Sequence, residues 1–465
     1  MVDPSYYSDL LRPIFEGRRV VVFGLVLAGA TGVVKRLRGL GAHRCLVVAG
    51  GFGTGDSPSP EDAECFVLDL RTDDIVAEMH AWEGIAVRPP PSLLQALDRY
   101  DPDRRALVLA PPVSLGPLPE KLAGRPFWGR RRASSLALED KSRIDQFWDA
   151  TGIRRAPSLI APLNLDAVRG ASERMDLGAG TVWAGDAREG IHGGAHMIRW
   201  VRTLGDVTNA LEFFSSRCDR VRVMPFLEGI PCSIHGIVFA DHVAAIRPVE
   251  MVTLRPQAQP RFLYSGAATY WDPPTADREE MQSIARIAGA AFRRIVGPGT
   301  FTIDGVMTDE GFLPTEMNAR FGAGLNVIAS RLTELPLALL TQALQQGEAL
   351  DYRPEALEVL LVEGADRDRG GGGWTVFRGR KETSQSYRLV EENGEYRLAG
   401  AGETASADLL IGPSSVGGFL RFTPEPSGLP VGPSIAPRVV AAFALADREF
   451  GTGLGPLAPA RDVRN

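Results

Sequence analysis

The densest grouping of residues able to do chemistry lies between Gly299 and Arg320, where two mostly uncharged runs flank Asp309-Glu310-Gly311. Such a pattern predicts a β-hairpin, and a turn centred near Glu310 sets Asp304 opposite Glu316. Side chains two residues apart share a strand face, so Glu316, Asn318 and Arg320 project on the side that carries Asp304. Opposed side chains have Cβ atoms roughly 5 Å apart, a span that oxygen ligands ~2.1 Å from one Mg²⁺ can close. Asp304, Glu316 and Asn318 are therefore the expected metal ligands. The alternative is a solvated hairpin face with scattered polar groups. Against it stand Phe301, Ile303, Val306, Leu313 and Met317, which argue for a hairpin packed inside a sheet. There, two adjacent carboxylates need a cation, and one guanidinium, Arg320, offsets only one of the two charges.

Several segments must position this hairpin. Arg19 to Gly24 is a β-branched run ending in glycine, followed by Gly29-Ala30-Thr31-Gly32 and a helical pattern from Val33 to Leu40. Similar apolar runs at Cys45 to Ala49 and Ala106 to Ala110 make the first ~130 residues an expected open parallel sheet with covering helices. Gly24, Gly29 and Gly32 do not have the G-x-G-x-x-G spacing and no G-x-x-x-x-G-K-[ST] occurs, so tight strand-to-helix packing is the preferred reading over a dinucleotide site. Gly116 to Gly129 reads as a linker. A helix is expected from Leu138, with Ile144, Phe147 and Trp148 on one face, stopping at Gly152.

Thr181 to Trp200 reads as strand, glycine-rich loop, strand, the loop running from Gly185 to Gly194. Val221 to Leu227, Ser233 to Phe239 and His242 to Met251 suggest an antiparallel sheet, and Glu279 to Ile295 a helix. Beyond an apolar helix ending at Gln346, a boundary falls near Tyr352-Arg353-Pro354. Past it, Gly370 to Gly373 is expected as a loop, Asn393-Gly394 as a type I′ hairpin turn and Pro437 to Phe450 as a helix.

The 465 residues suggest about three domains. With 51 Lys and Arg against 57 Asp and Glu, the net charge of −6 repels phosphate backbones and excludes a general nucleic-acid binder, despite the local run Gly129-Arg130-Arg131-Arg132. Cys45, Cys65, Cys218 and Cys232 are scattered without a C-x-x-C pair, which speaks against a disulfide framework or thiolate zinc site and fits a cytoplasmic protein. No leader pattern begins at Met1-Val2-Asp3 and no apolar run is long enough to span a bilayer, so no membrane association is expected. The 51 glycines and 34 prolines are too many for a helical bundle and point to an α/β or α+β multidomain chain.

The segment Asp304 with Glu316-Met317-Asn318-Ala319-Arg320 resembles the final strands of the ATP-grasp superfamily, an acidic residue followed by E-x-N and an arginine two residues on. Asp140-Lys141 with Gly152-Ile153 and Pro157 is similar to that family's first phosphate-binding lysine and its surroundings. Gly185 to Gly194 looks like its lid, and Met224-Pro225-Phe226-Leu227-Glu228-Gly229 like the hinge that reads adenine and ribose. The resemblance implies an ATP-grasp fold over residues 136–350 (lid about 178–230), after an N-terminal Rossmann-like domain (1–135) and before a smaller C-terminal α+β domain (351–465). Over most of its length the chain looks like the peptide ligases of pheganomycin-type antibiotic assembly.

What the resemblance implies is an ATP-dependent carboxylate–amine ligase working through an acyl phosphate, with ATP and one or two Mg²⁺ (or Mn²⁺). Its substrates would be an amino acid, possibly nonproteinogenic, and an amino acid or peptide. Apart from the resemblance, a homodimer is the expected assembly, as the commonest one for soluble enzymes of this size. Lys141, Gly185, Arg188, Gly193, Gly194 and the stretch Met224, Pro225, Phe226, Leu227 and Glu228 would hold ATP. Arg320 and Arg247 would stabilise the transferring phosphoryl group, and Arg255 would bind a substrate carboxylate; the ordinary alternative for Arg247 is an edge-strand ion pair. Two departures stand out: Val182-Trp183-Ala184 lacks the family's usual lysine before the lid, and Pro231 stands where a ribose carboxylate is common. An inactive nucleotide-binding module and a dinucleotide-dependent oxidoreductase are the rival readings.

Overall fold

The computed structural model describes residues 3–464; Met1, Val2 and Asn465, which fall within the expected leader-free start and the outer domain limits, lie outside the described residues. The first sheet has six strands: β1 (Val20–Val26), β2 (Cys45–Gly51), β3 (Ala63–Val67), β4 (Leu107–Leu109), β5 (Lys121–Leu122) and β6 (Arg125–Trp128). Their order is β3-β2-β1-β4-β6-β5, parallel except for the β5/β6 pair. A parallel open sheet thus forms as expected, because Val21, Leu46, Val48 and Val108 on one face and Val20, Val22, Val47 and Leu107 on the other all need cover. The expected linker at 116–129 is a correction: its second half is β5 and β6, and Trp128 is buried against Phe15.

A second, four-stranded antiparallel sheet contains β7 (Leu159–Pro162), β8 (Thr181–Gly185), β9 (Ile198–Val201) and β10 (Arg220–Pro225), ordered β7-β10-β8-β9. The run from Val221 therefore pairs with β7 and with β8, the strand that leads into the glycine-rich loop, and not with the strands that follow it in sequence. Helices Leu165–Met175 and Leu204–Ser215 cover this sheet through Val168, Val207 and Phe214.

The third sheet has twelve strands. It holds β11 (Ile230–Val238), β12 (Val243–Ala245), β13 (Val249–Pro256), β14 (Leu263–Ala268), β15 (Gly299–Thr308), β16 (Gly311–Asn318), β17 (Gly371–Phe377), β18 (Gln385–Glu392), β19 (Glu395–Leu398), β20 (Ala407–Pro413), β21 (Gly418–Pro424) and β22 (Leu457–Ala458). The stretch Gly370 to Gly373, expected as a loop, is a correction: it opens β17, which pairs with β14 and carries the sheet on into the C-terminal residues. The reason is close approach. A Cβ at Gly371 would lie 2.2 Å from the Ala267 carbonyl oxygen, and one at Gly372 2.2 Å from that of Phe422. Asn393 and Gly394 both take positive φ (54° and 83°), as a type I′ turn requires. Helix Ala436–Phe450 packs Val439, Phe443 and Leu445 into a core with Leu409, Leu420 and Phe422.

All four cysteines are free, and among the described residues no helix is long and apolar enough to cross a membrane.

Candidate functional site

The hairpin β15/β16 places Asp304 directly opposite Glu316, and Thr302 opposite Asn318. The turn is tighter than expected: Thr308 pairs with Gly311 across Asp309-Glu310. A bulge at Thr315 takes up the extra residue between this turn and the Asp304/Glu316 pair. Met317, Ile303 and Phe301 on the opposite face fill a core against helix Thr275–Ile295, which pins the strand register.

Asn318 donates its Nδ2 to Asp304 Oδ2 at 2.7 Å and to Glu316 Oε1 at 3.4 Å, so one amide bridges the two carboxylates. Lys141 is ion-paired with Glu316 Oε2. It lies in the turn before helix Ile144–Thr151, not on the expected helix. Arg320 donates to Asn318 Oδ1 at 2.9 Å and to Glu139 Oε2 at 2.7 Å. Burial and the neighbouring Glu316 charge push the Asp304 carboxyl well above the carboxylate range. Burial also works against Glu316, but the Lys141 ammonium, the Asn318 bond and the Arg320 charge hold it below its usual value.

The set fits a hard divalent cation: two half-buried carboxylates held by one amide, one of them resting on an ammonium that stands in for positive charge. Asn318 turns its nitrogen to the carboxylates and its oxygen to Arg320, so ligation by Asn318 needs a half-turn of its amide. Among the described residues no cluster of three or more His, Cys, Asp or Glu is grouped for metal binding, and this trio contains two.

These groups line a cavity of about 1000 Å³ between the three sheets. Of the expected nucleotide contacts, Lys141, Gly193, Gly194 and Met224 to Leu227 line it as well. The Phe226 ring stacks on Trp200 with centroids 4.3 Å apart, and its amide donates to the Gly180 carbonyl at 3.0 Å. His192, in the glycine-rich loop, packs between His80 and His196 with ring centroids 5.7 Å from each. Burial, then the charges of His196 and His80, push it down to about 4, so it sits there as a neutral ring.

Four expected site residues lie elsewhere, each for a physical reason. Arg247 is a correction: it is fully buried outside the cavity, pairing with Asp366 at 2.9 Å and Asp272 at 3.2 Å and donating to the Trp271 carbonyl. The ion pair weighed as its alternative is what forms, in the interior and not at a sheet edge. Arg188 turns away to Asp219 at 2.9 Å and the Ser216 carbonyl, along a separate shallow depression. Gly185 is a packing residue, since a Cβ there would sit 2.5 Å from Cys218 Sγ. Glu228 is taken by Arg255 (2.6 and 3.1 Å) and the Arg461 amide (3.1 Å), which hold its carboxyl low in spite of partial burial. Arg255 itself does line the cavity, already paired.

Sequence reasoning missed Glu139 and Arg222. Glu139 accepts from the Ala319 amide (2.9 Å) and from Arg131 as well as from Arg320. Its signal was its place two residues before Lys141. Arg222 faces Ala184 across β8/β10, where the lysine-free stretch lies, and it lines the cavity. It is held by Asp145 and by the Thr315 carbonyl at 2.6 Å. A charged residue between Val221 and Val223, both buried, had to be paired.

No family model and no curated protein matches the sequence. Solved structures do match in fold. Carboxyaminoimidazole ribonucleotide synthase from Aspergillus clavatus, solved with ATP, is 12% identical, with a TM-score of 0.51 over 93% of this chain and 99% of that one. The chain has the ATP-grasp fold. Rhizobium etli pyruvate carboxylase gives a TM-score of 0.52 at 15% identity over 93% of this chain, which spans 37% of that one. An L-amino acid ligase from Bacillus licheniformis gives 0.49 at 12% identity over 88% and 94% of the two chains.

Proposed function

We propose that this protein is an ATP- and Mg²⁺-dependent carboxylate–amine ligase that joins the carboxylate of an amino acid to the amino group of an amino acid or peptide. The observation that carries the reading is the convergence of Lys141, Asp304, Glu316, Asn318 and Arg320 on one cavity beneath a glycine-rich loop, within an ATP-grasp fold. Asp304, Glu316 and, with its amide turned, Asn318 would hold Mg²⁺, which supplies charge neutralisation at phosphate oxygens.

The protein's own groups divide the remaining work. A substrate carboxylate attacks the γ-phosphorus, releasing ADP and leaving an acyl phosphate that the amine then opens, releasing phosphate. Lys141, freed from Glu316, reaches the phosphates as a point charge. Arg320, fixed by Glu139, faces the oxygens on which negative charge builds. The loop from Gly185 to Gly194 excludes water, which would otherwise hydrolyse the acyl phosphate before the amine arrives. The sequence likeness to peptide ligases of pheganomycin-type assembly supports a reading in which the product is a peptide natural product.

The test is ADP release from ATP·Mg²⁺ with pooled amino acids and short peptides, with products weighed by mass spectrometry and Glu316→Ala as control. A product equal to acid plus amine less water, lost at least a hundredfold in the control, is expected. ATP binding without ADP from any pool would overturn the ligase in favour of a nucleotide-binding module.

A further inference from the structure

The cavity has a second charged region, away from the carboxylate pair. Arg261 and Arg378 both line it, both are exposed, and among the described residues neither has an ion-pair or hydrogen-bond partner for its side chain. They lie along one seam. Strands β14 and β17 pair antiparallel at Gly266–Ala268 with Gly371–Gly373, so Arg261, two residues before β14, and Arg378, just after β17, lie off the same end of that pair. Arg199, also in the wall, donates to the His196 and Ile198 carbonyls (2.9 and 2.7 Å) and lies over the Phe213 ring, with no carboxylate beside it. Burial, then the charges of Arg261 and Arg217, push Arg199 down to about 10, which marks these cations as neighbours.

Other arginines of the wall differ: Arg222, Arg255 and Arg320 are matched to Asp145, Glu228 and Glu139. Between the two unmatched arginines the seam is aromatic. Phe262 stacks toward Trp200 and Phe226, and Tyr264 meets Trp374 edge-on at 5.8 Å. Like charges at one end of a strand pair repel, and an anion that both reach offsets that repulsion while a flat body covers the rings.

We infer that Arg261 and Arg378 form an anion subsite, floored by Phe262 and Trp374, for a carboxylate-bearing planar or apolar group of the substrate that does not itself react. Calling that ligand a substrate rests on the ligase reading; the subsite itself does not. The shared chemistry with nucleotide phosphates makes the source of the anion the point to be tested.

The full chain is titrated with benzoate and with the neutral isostere benzamide, read by saturation-transfer NMR, with and without saturating ATP·Mg²⁺. Benzoate is expected to bind at least tenfold tighter than benzamide, and to keep its affinity within twofold when ATP·Mg²⁺ is present. In the Arg261→Ala/Arg378→Ala variant, whose changes are at exposed positions, the preference falls below twofold while the melting temperature holds. Equal binding of the two probes, a preference that survives in the variant, or displacement of benzoate by ATP·Mg²⁺ would each overturn the subsite. Benzoate selectivity without ADP release from any substrate pool would sink the ligase reading and leave the subsite standing.

Discussion

Glu139 and Arg320 meet at 2.7 Å, and the other Glu139 oxygen accepts the Ala319 amide at 2.9 Å. One carboxylate thereby ties the segment that delivers Lys141 to the strand end that delivers Glu316 and Asn318. Replacing it by Glu139→Gln keeps the volume and removes the charge that orients Arg320. ADP release is expected to fall about tenfold to a hundredfold, by analogy with outer partners of metal-site residues. ATP affinity, measured by calorimetry, should stay within threefold. Unchanged turnover would show that Arg320 needs no such anchor.

Gly324 lies where a Cβ would approach His235 Nε2 to 2.1 Å. The His235 ring is fully buried and bonded to Thr302 Oγ1 at 2.9 Å, and burial keeps it neutral by pushing it down to about 3. Alanine in a helix ordinarily adds up to ~1 kcal/mol over glycine. Here Gly324→Ala is expected to destabilise by about 1–3 kcal/mol through overpacking, read as a fall in melting temperature. Adding His235→Ala should recover part of that loss.

Glu250 is buried on β13 and accepts from Ser434 (2.5 Å) and the Ile435 amide (3.0 Å) at the start of helix Ala436–Phe450. Burial raises its carboxyl from 4.5 to about 7 despite those bonds. The protonated form favours the fold, so its contribution is complete below about pH 4.5 and is lost as pH rises through 7. The shift corresponds to about 3 kcal/mol. Urea midpoints at pH 5 and pH 8 should therefore fall further for the native chain than for Glu250→Gln. Parallel pH profiles would refute the assignment.

Arg247 sits among Asp272, Asp366, Arg278 and Arg369, a network joining the segment just before β13, helix Thr275–Ile295 and helix Pro354–Arg367. Arg247→Met leaves two aspartates short of a partner and is expected to cost about 3 kcal/mol. Turnover per folded molecule should not change. A variant of native stability with slowed ADP release would return Arg247 to the reaction.

The opposition of Asp304 and Glu316 was legible because strand alternation forces it, although its register is reached by another route. A two-residue turn would set Thr315 opposite Asp304, and the bulge restores Glu316; the one hint in Leu313-Pro314-Thr315 is Pro314, which suits an edge strand or a bulge without saying which. The first parallel sheet was legible from its β-branched runs. The partners of Arg247, at 272 and 366, are brought close only by the folded chain, so its role could not be read from Ile246-Arg247-Pro248. Glycines misled at 370–373, where their lack of a side chain serves close strand approach instead of a turn.

Glu316 and Asn318 ride on β16, an edge strand at one end of the twelve-stranded sheet. Free strand edges recruit strands from other molecules and seed self-association. Here the outward groups are already engaged: the Ala156 amide takes the Pro314 carbonyl at 3.2 Å, Arg222 takes that of Thr315, and Glu139 takes the Ala319 amide. The contacts that align the charged groups thus also occupy the end of this edge, so a variant that loosens Arg222 or Glu139 is expected to expose edge groups as well as to disturb the site, and to lose solubility.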